Sequence, residues 1–205
     1  MKKIFISAVV LTSVIFAACN NSNQSHDGHA QDTAATAGET AKEEEAVAEV
    51  KPRFATADAK VTASLKPVID HYLHIKNGLA GDNSAEVASA GKAMAEAMTT
   101  VDKSAMTADE KKVYAENEED LKEHAEHISK NEGNIEHQRE HFAQMSEDIY
   151  ALVKAFGGGQ PLYYDHCPMY DNNKGAYWLS ETKEIKNPYF GGKMPTCGIT
   201  KELIK

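Results

Sequence analysis

Two pairs of sulfur-bearing residues near the C-terminus have the types and spacing of metal ligands. Cys167 precedes Met169 by two positions, and Met194 precedes Cys197 by three. Thiolate and thioether sulfurs are soft donors that prefer Cu(I) or Ag(I) to Mg²⁺ or Ca²⁺. Zinc binds cysteine but gains little from methionine, so the methionines favour Cu(I) or Ag(I). His166 adds an imidazole, which completes a predicted metal site of five residues.

The same two cysteines could instead form a structural disulfide. In an oxidising compartment, a bond between Cys167 and Cys197 would close a short loop. Such a bond typically contributes about 2 to 4 kcal/mol to the stability of a unit that is too small for a large core. Reversible alternation between a dithiol metal site and a disulfide is a third possibility, and the residue pattern leaves all three open.

Four histidines form a second candidate metal site. His124 and His127 are three residues apart, a spacing that places two imidazoles on one helix face. His137 and His141 are four residues apart and meet the same condition. A helical hairpin about residue 132 would bring His124 near His141 and His127 near His137. A four-histidine site is therefore sterically possible. Charged residues surround all four positions, so the sequence favours the alternative of a solvated helix surface.

No pattern in the sequence predicts catalysis. Cys167 beside His166 resembles a nucleophile and its base, but adjacent residues on an extended strand point to opposite faces. The glycines at 157–159 lack the lysine and the strand context of a phosphate-binding loop. We therefore expect a binding protein and not an enzyme.

Four amphipathic helices are the first of the elements predicted to position these residues. Apolar residues recur at three- and four-residue spacing in four segments of residues 56–158, which predicts one buried face in each helix. Glycine-containing segments near residues 81 and 133 interrupt the pattern, and Thr107 with Glu110 forms a capping-box motif. Because short connections force neighbouring helices to run in opposite directions, we expect an antiparallel four-helix bundle.

The composition changes in residues 159–205. Aromatic residues crowd together there among Gly and Pro turns; they are Tyr163, Tyr164, Tyr170, Tyr177, Trp178, Tyr189 and Phe190. This pattern predicts a small β-rich unit that contains the Cys and Met residues. The predicted fold class is therefore mainly α: an antiparallel four-helix bundle followed by a small β-rich, aromatic metal-binding unit.

The N-terminal residues predict export. Residues 1–18 have a basic start, an apolar run and two alanines before Cys19, which is typical of a lipoprotein signal peptide. Lipidation of Cys19 is expected, with cleavage by an ordinary signal peptidase as the alternative. Residues 19–55 contain almost no large apolar side chains and are predicted to be a disordered acidic tether.

Charge excludes some partners. The chain has 22 Lys and Arg against 31 Asp and Glu, which gives a formal net charge of −9. This balance argues against unaided binding to nucleic acid or to an anionic bilayer. We therefore expect no nucleic-acid partner, and contact with the membrane through the lipid anchor only. A length of 205 residues suits one compact domain with a tail, or two small units.

Several motifs together resemble the DUF3347 family of Bacteroidetes-type envelope proteins. They are residues 138–146 (QREHFAQMS), 167–169 (CPM), 175–180 (GAYWLS), 184–191 (EIKNPYFG) and 194–198 (MPTCG). The resemblance covers about residue 60 to the C-terminus, and the same module resembles one fused to periplasmic adaptor subunits of copper and silver efflux pumps. It implies a heavy-metal-associated domain without established enzymatic activity, and it assigns no role to the four clustered histidines.

These observations predict a lipid-anchored protein that faces the periplasm of a Gram-negative, Bacteroidetes-type cell envelope. It is expected to bind Cu(I) or Ag(I), and either to sequester the metal or to pass it to a heavy-metal efflux adaptor or pump. The alternative is a non-catalytic envelope interaction module with a structural disulfide between Cys167 and Cys197.

Overall fold

The computed structural model describes residues 47–205, in which four long helices precede most of a small sheet. In chain order the elements are β1 (Ala48–Val50), α1 (Ala59–Ala80), α2 (Ser84–Met98), α3 (Ala108–Lys130), α4 (Ile135–Phe156), β2 (Leu162–Cys167), the single turn α5 (Tyr170–Asn173), β3 (Ala176–Ser180), a 3-10 turn (Gly191–Lys193) and β4 (Ile199–Ile204). The mainly helical fold class with a small C-terminal sheet is confirmed. The predicted signal peptide (1–18), Cys19 and most of the predicted tether lie outside the described residues.

Each long helix begins at a polar residue whose side chain accepts a hydrogen bond from a backbone N–H of the first turn. These residues are Asp58, Asn83, Thr107 and Asn134. Thr107 and Glu110 make both bonds of the predicted capping box. α4 ends at Gly157, whose φ of 85° is a left-handed conformation that residues with a Cβ rarely adopt. Local side-chain chemistry therefore sets the helix boundaries.

The apolar faces of the helices pack into one core. α1 packs against α2, α2 against α3 and α3 against α4, and α1 also contacts α4. Side chains of the predicted stripes are buried, among them Val61, Tyr72, Met94, Leu121 and Phe142. α2 and α3 approach closely at Gly91, where an added Cβ would lie 2.9 Å from the carbonyl oxygen of Ala125. Within residues 47–205, no helix is long and apolar enough to cross a membrane.

The sheet has four strands in the order β1, β4, β2, β3. β2 is antiparallel to β3 and β4, whereas β1 pairs in parallel with residues 202–204 of β4. The prediction of a tether over residues 19–55 is therefore wrong at its C-terminal end. Beyond β1, the backbone N–H groups of Arg53 and Phe54 donate to the last turn of α4 at 2.9 and 2.8 Å. Val50 and Phe54 pack against the core. The acidic average composition of residues 19–55 conceals these two apolar residues.

The sheet and the helices share one core, so the boundary predicted at residues 158 and 159 does not separate two cores. Tyr72 of α1 accepts a hydrogen bond from the backbone N–H of Leu179 in β3 at 3.0 Å. The ring of Tyr72 stacks on Phe142 of α4 at a centroid distance of 5.1 Å. The buried Tyr189 also packs on Phe142, with ring centroids 5.8 Å apart. Tyr189, an aromatic residue of the C-terminal segment, thus covers part of the helical core.

A buried arginine ties α4 to the loops around it. Arg139 donates to the carbonyl oxygens of Leu79 at 3.0 Å and Pro188 at 2.8 Å. Its guanidinium also binds the carboxylate of Asp82 at 2.5 Å. Asp82 in turn accepts a hydrogen bond from the backbone N–H of Gly192 at 2.8 Å. These bonds join the end of α1 to the long loop between β3 and β4.

Candidate metal sites

The end of β2 and the loop before β4 bring two cysteines into contact. Cys167, the last residue of β2, is fully buried, and Cys197, two residues before β4, is partly exposed. Their sulfur atoms are 3.3 Å apart, and both residues are free thiols. The two cysteines that the sequence predicts as ligands of one ion therefore lie side by side.

Asn187 holds the loop that carries Cys197. This buried amide donates to the carbonyl oxygen of Cys197 at 2.6 Å. Its side-chain oxygen accepts hydrogen bonds from the backbone N–H groups of Tyr189 and Phe190 at 2.8 and 3.1 Å. In the sequence Asn187 stands out only as part of the motif at 184–191, and its positioning role is not predicted. An asparagine before a proline in a glycine-rich turn was the available signal, because such side chains bond to nearby backbone.

The single tryptophan of the chain lies close to the thiol pair. In the pairing of β2 with β3, Ala176 lies opposite Cys167 and Trp178 lies opposite Asp165, so Trp178 and Cys167 share one face of the sheet. A Cβ added at Gly198 would lie 2.8 Å from the Trp178 ring. Tryptophan emission is therefore a local probe of this site.

The structure separates His166 from the two thiols. His166 and Tyr177 are cross-strand partners, with ring centroids 4.2 Å apart. Because successive strand residues alternate between faces, His166 points away from the face of Cys167. Among the described residues, no group of three His, Cys, Asp or Glu ligand atoms within 4.8 Å of one another includes His166 or either cysteine.

The predicted methionine ligands lie on the segments that carry the cysteines. Met169 follows Cys167 by two residues and is 47% exposed. Met194 is partly buried, and its carbonyl oxygen accepts a hydrogen bond from the Cys197 N–H at 3.2 Å. This bond closes a four-residue turn, which keeps the Cα atoms of Met194 and Cys197 within about 7 Å of each other. Each cysteine therefore has a thioether a few residues away in the chain.

Burial affects the protonation of Cys197. Burial and then the contact with Cys167 raise the pKa of Cys197 to about 11. The thiolate is the form of cysteine that binds metals. A cation with high affinity for sulfur is therefore needed to displace the Cys197 proton at pH 7.

The four clustered histidines meet where α3 packs against α4. Nδ1 of His141 lies 3.1 Å from Nδ1 of His124, and Nε2 of His141 lies 3.2 Å from Nε2 of His137. The rings of His127 and His141 have centroids 4.4 Å apart. Glu140, one of the surrounding charged residues that favoured a solvated surface, has a carboxylate 2.8 Å from Nδ1 of His137, a contact that was not predicted. Its signal was the i, i+3 spacing from that histidine.

Two of these imidazoles are held in the neutral form. Burial, followed by the charges of the three neighbouring histidines, lowers the pKa of His141 to about 4. Burial also lowers the pKa of His124. An imidazole must be neutral to donate a lone pair to a metal. The rings of His141 and His124 are therefore potential donors at pH 7 and carry no positive charge.

Comparison with known proteins gives one match. Residues 68–160 match a family model described as "Protein of unknown function (DUF3347)". The matched range runs from within α1 to just before β2, so it includes the four clustered histidines and ends before both cysteines. No curated protein and no solved structure matches the chain.

Proposed function

We propose that this chain, which belongs to the DUF3347 family through residues 68–160, binds a soft metal ion, Cu(I) or Ag(I), between Cys167 and Cys197. The observation that carries the proposal is the 3.3 Å separation of two free thiol sulfurs from distant parts of the C-terminal segment. The proposal includes no catalytic turnover, because binding and release alone account for these residues.

The sulfur separation suits a single bridging ion. A metal–thiolate bond is about 2.3 Å long, so two sulfurs that share one ion lie at most about 4.6 Å apart. The observed 3.3 Å is shorter than this limit, so the partly exposed Cys197 moves away from Cys167 by up to about 1.3 Å to admit the ion. Met169 and Met194 are the thioethers available to complete the coordination, and together with thiolates they select Cu(I) or Ag(I) over hard cations. His166 lies on the other face of β2, so it is left out of the proposed ligand set.

We place this binding outside the cytoplasm, on the evidence of the N-terminal sequence. Residues 1–18 have the composition of a lipoprotein signal peptide, and Cys19 would carry the lipid. Partial exposure of Cys197 gives an incoming ligand access to the ion. The protein would then sequester Cu(I) or Ag(I), or pass it by ligand exchange to a heavy-metal efflux adaptor or pump.

An antiparallel helical bundle is the scaffold that we infer for this site. Only residues 81–83 separate α1 from α2, and only residues 131–134 separate α3 from α4. Connections this short favour helices that run in opposite directions. The contact of His124 with His141, which lie at similar distances from the α3–α4 connection, supports the same arrangement. Packing of β3 against α4 gives the sheet a rigid support.

A Cu(I) titration tests the proposed function. The chain is reduced and titrated with Cu(I) against a chromophoric chelator, and Trp178 emission is followed in parallel. We expect one tightly bound ion per chain with a change in emission, and loss of both in the Cys167→Ser, Cys197→Ser double variant. Cys19→Ser is the matched control, because it removes the remaining thiol of the chain, and it should bind as the parent does. Equal affinity of the double variant and the parent would contradict the proposal.

A structural disulfide remains the second candidate, because the same sulfur contact also suits oxidation. In that case the chain is an interaction module of the envelope, and Cys167 bonded to Cys197 holds the loop before β4. Thiol alkylation followed by mass measurement on protein extracted from the envelope distinguishes the two. Alkylated thiols support metal binding, whereas an oxidised pair that resists mild reductant supports the interaction module.

A further inference from the structure

Helices α3 and α4 carry a cluster of imidazoles that the thiol site does not use. We propose that His127, His137 and His141 form a second metal site, which takes a borderline divalent cation such as Zn²⁺. His124 and Glu140 orient two of these ligands. The site differs from the thiol pair in its residues, its elements and its class of metal. Its test is therefore independent of the function proposed above.

The nitrogen positions are close to those of a coordinated ion. Ligand atoms of His127, His137 and His141 all lie within 4.8 Å of one another. Metal–imidazole bonds are about 2.0 to 2.1 Å long, so two nitrogens on a tetrahedral ion are about 3.4 Å apart. Nε2 of His137 and Nε2 of His141 are already 3.2 Å apart. The His127 side chain is 45% exposed, and its Nε2 lies 3.8 Å from a carboxylate oxygen of Glu123. Solvent on one side leaves this ring room for the small remaining movement toward the ion.

Glu140 orients His137. Its carboxylate oxygen lies 2.8 Å from Nδ1 of His137, so that nitrogen carries the proton and donates it. The lone pair of His137 is therefore on Nε2, which faces His141. A carboxylate that binds the far nitrogen of a metal-ligating histidine is a recurrent feature of metal sites.

His124 plays the equivalent part for His141. One imidazole gives one nitrogen to an ion, and Nε2 of His141 is the nitrogen that faces His137. With Nε2 on the ion, a neutral His141 carries its proton on Nδ1 and donates it to Nδ1 of His124, 3.1 Å away. The four-histidine site predicted from the sequence therefore becomes three ligands and one positioning residue.

The packed helices hold the backbone of the three ligands in place. Each ligand is followed in the sequence by a fully buried residue: Ile128 on α3, and Gln138 and Phe142 on α4. The all-nitrogen donor set suits Zn²⁺, Cu²⁺ or Ni²⁺ and lacks the sulfur that Cu(I) prefers. Three protein ligands leave a fourth position of a tetrahedral ion open to water or to a group from another molecule.

The test is metal binding by the full chain with Cys19, Cys167 and Cys197 replaced by serine, which removes every competing thiol. Zn²⁺ alone is titrated by calorimetry, and Co²⁺ serves as a spectroscopic substitute. We expect one ion per chain and the visible absorption of a four-coordinate Co²⁺ complex. Absence of stoichiometric binding in this folded chain would overturn the proposal and leave the thiol site unaffected.

Single substitutions then identify the ligands. His127→Gln and His137→Gln each remove a ligand whose side chain is partly exposed, and each should weaken Zn²⁺ binding by more than about tenfold. His74→Gln is the matched control, because His74 also lies on a helix and contacts a carboxylate, that of Glu86, at 2.7 Å. Circular dichroism verifies that each variant is folded. Parent-like binding by either folded ligand variant, or an equal loss in His74→Gln, would overturn the assignment.

The positioning residues have a different signature. His124→Ala and Glu140→Ala should weaken binding about 10- to 100-fold, while the Co²⁺ spectrum keeps its shape because the three ligands remain. His124→Asn and Glu140→Gln retain a hydrogen-bonding group and should recover part of the affinity. Unchanged affinity in the alanine variants, or no recovery in the conservative ones, would overturn the positioning role.

Discussion

At the scale of single residues, Asn187 shows how one buried amide can hold a candidate ligand in place. Its donor binds the carbonyl oxygen of Cys197, and its acceptor binds the N–H groups of Tyr189 and Phe190. The backbone N–H of Asn187 also donates to the carbonyl oxygen of Pro195 at 2.9 Å. The loop between β3 and β4 is thus closed on itself around one side chain, which keeps Cys197 next to Cys167.

Replacing Asn187 by alanine should destabilise the protein and loosen the thiol pair. Each buried backbone group left without a partner costs about 1 to 3 kcal/mol. We therefore expect the free energy of unfolding of Asn187→Ala to fall by at least about 2 kcal/mol in urea denaturation, together with weaker Cu(I) binding. A change smaller than about 0.5 kcal/mol would show that the amide does not hold this loop.

At the scale of elements, one of the two arginines of the chain joins elements of the fold and the other contributes little. Arg139 is buried and binds the backbone at the end of α1 and at Pro188. Arg53 faces Asp109 across 3.9 Å, with both side chains largely exposed. Exposed ion pairs contribute little because solvent screens them. Arg139 is therefore the arginine that joins α1, α4 and the loop before β4.

Arg139→Met should lower the free energy of unfolding by about 2 to 4 kcal/mol. The carbonyl oxygen of Pro188 loses this donor, that of Leu79 keeps the Asp82 N–H at 3.2 Å, and the partly exposed carboxylate of Asp82 loses its charged partner. Arg53→Met is the matched control and should change stability by less than about 1 kcal/mol. Urea denaturation of both variants measures the difference. Equal losses of unfolding free energy would show that Arg139 does not join these elements.

At the scale of the whole molecule, the helices and the sheet are parts of one structure. Tyr72 of α1 bonds to β3, Phe142 of α4 contacts Tyr189, and Trp178 packs against Tyr189 at 5.8 Å. The two proposed metal sites lie on different parts of this structure. The thiol pair belongs to the sheet and its long loop, whereas the histidines belong to α3 and α4.

Unfolding should therefore occur in a single transition. Far-UV circular dichroism reports the helices, and the emission of Trp178, the single tryptophan, reports the sheet. In urea the two signals should give the same midpoint, because a shared core unfolds cooperatively. An earlier transition in the tryptophan signal would mean that the sheet unfolds as a separate unit.

The sequence by itself determined the features that depend on neighbours a few residues apart. The four helices, their polar N-caps and their buried faces follow from spacing of three and four residues and from hydrogen bonds within one turn. The same local spacing identified the two histidine pairs and the cysteines with their nearby methionines. The family resemblance is confirmed over residues 68–160.

Only the tertiary structure decided which of these residues meet. Strand alternation, combined with the pairing of β2 to β3, placed Cys167 on one face and His166 on the other. The contact of Cys167 with Cys197 spans 30 residues, and that of His124 with His141 spans 17. β1 joined the sheet through β4, about 150 residues away. Such contacts depend on how whole elements pack, and a local pattern contains no record of the partner.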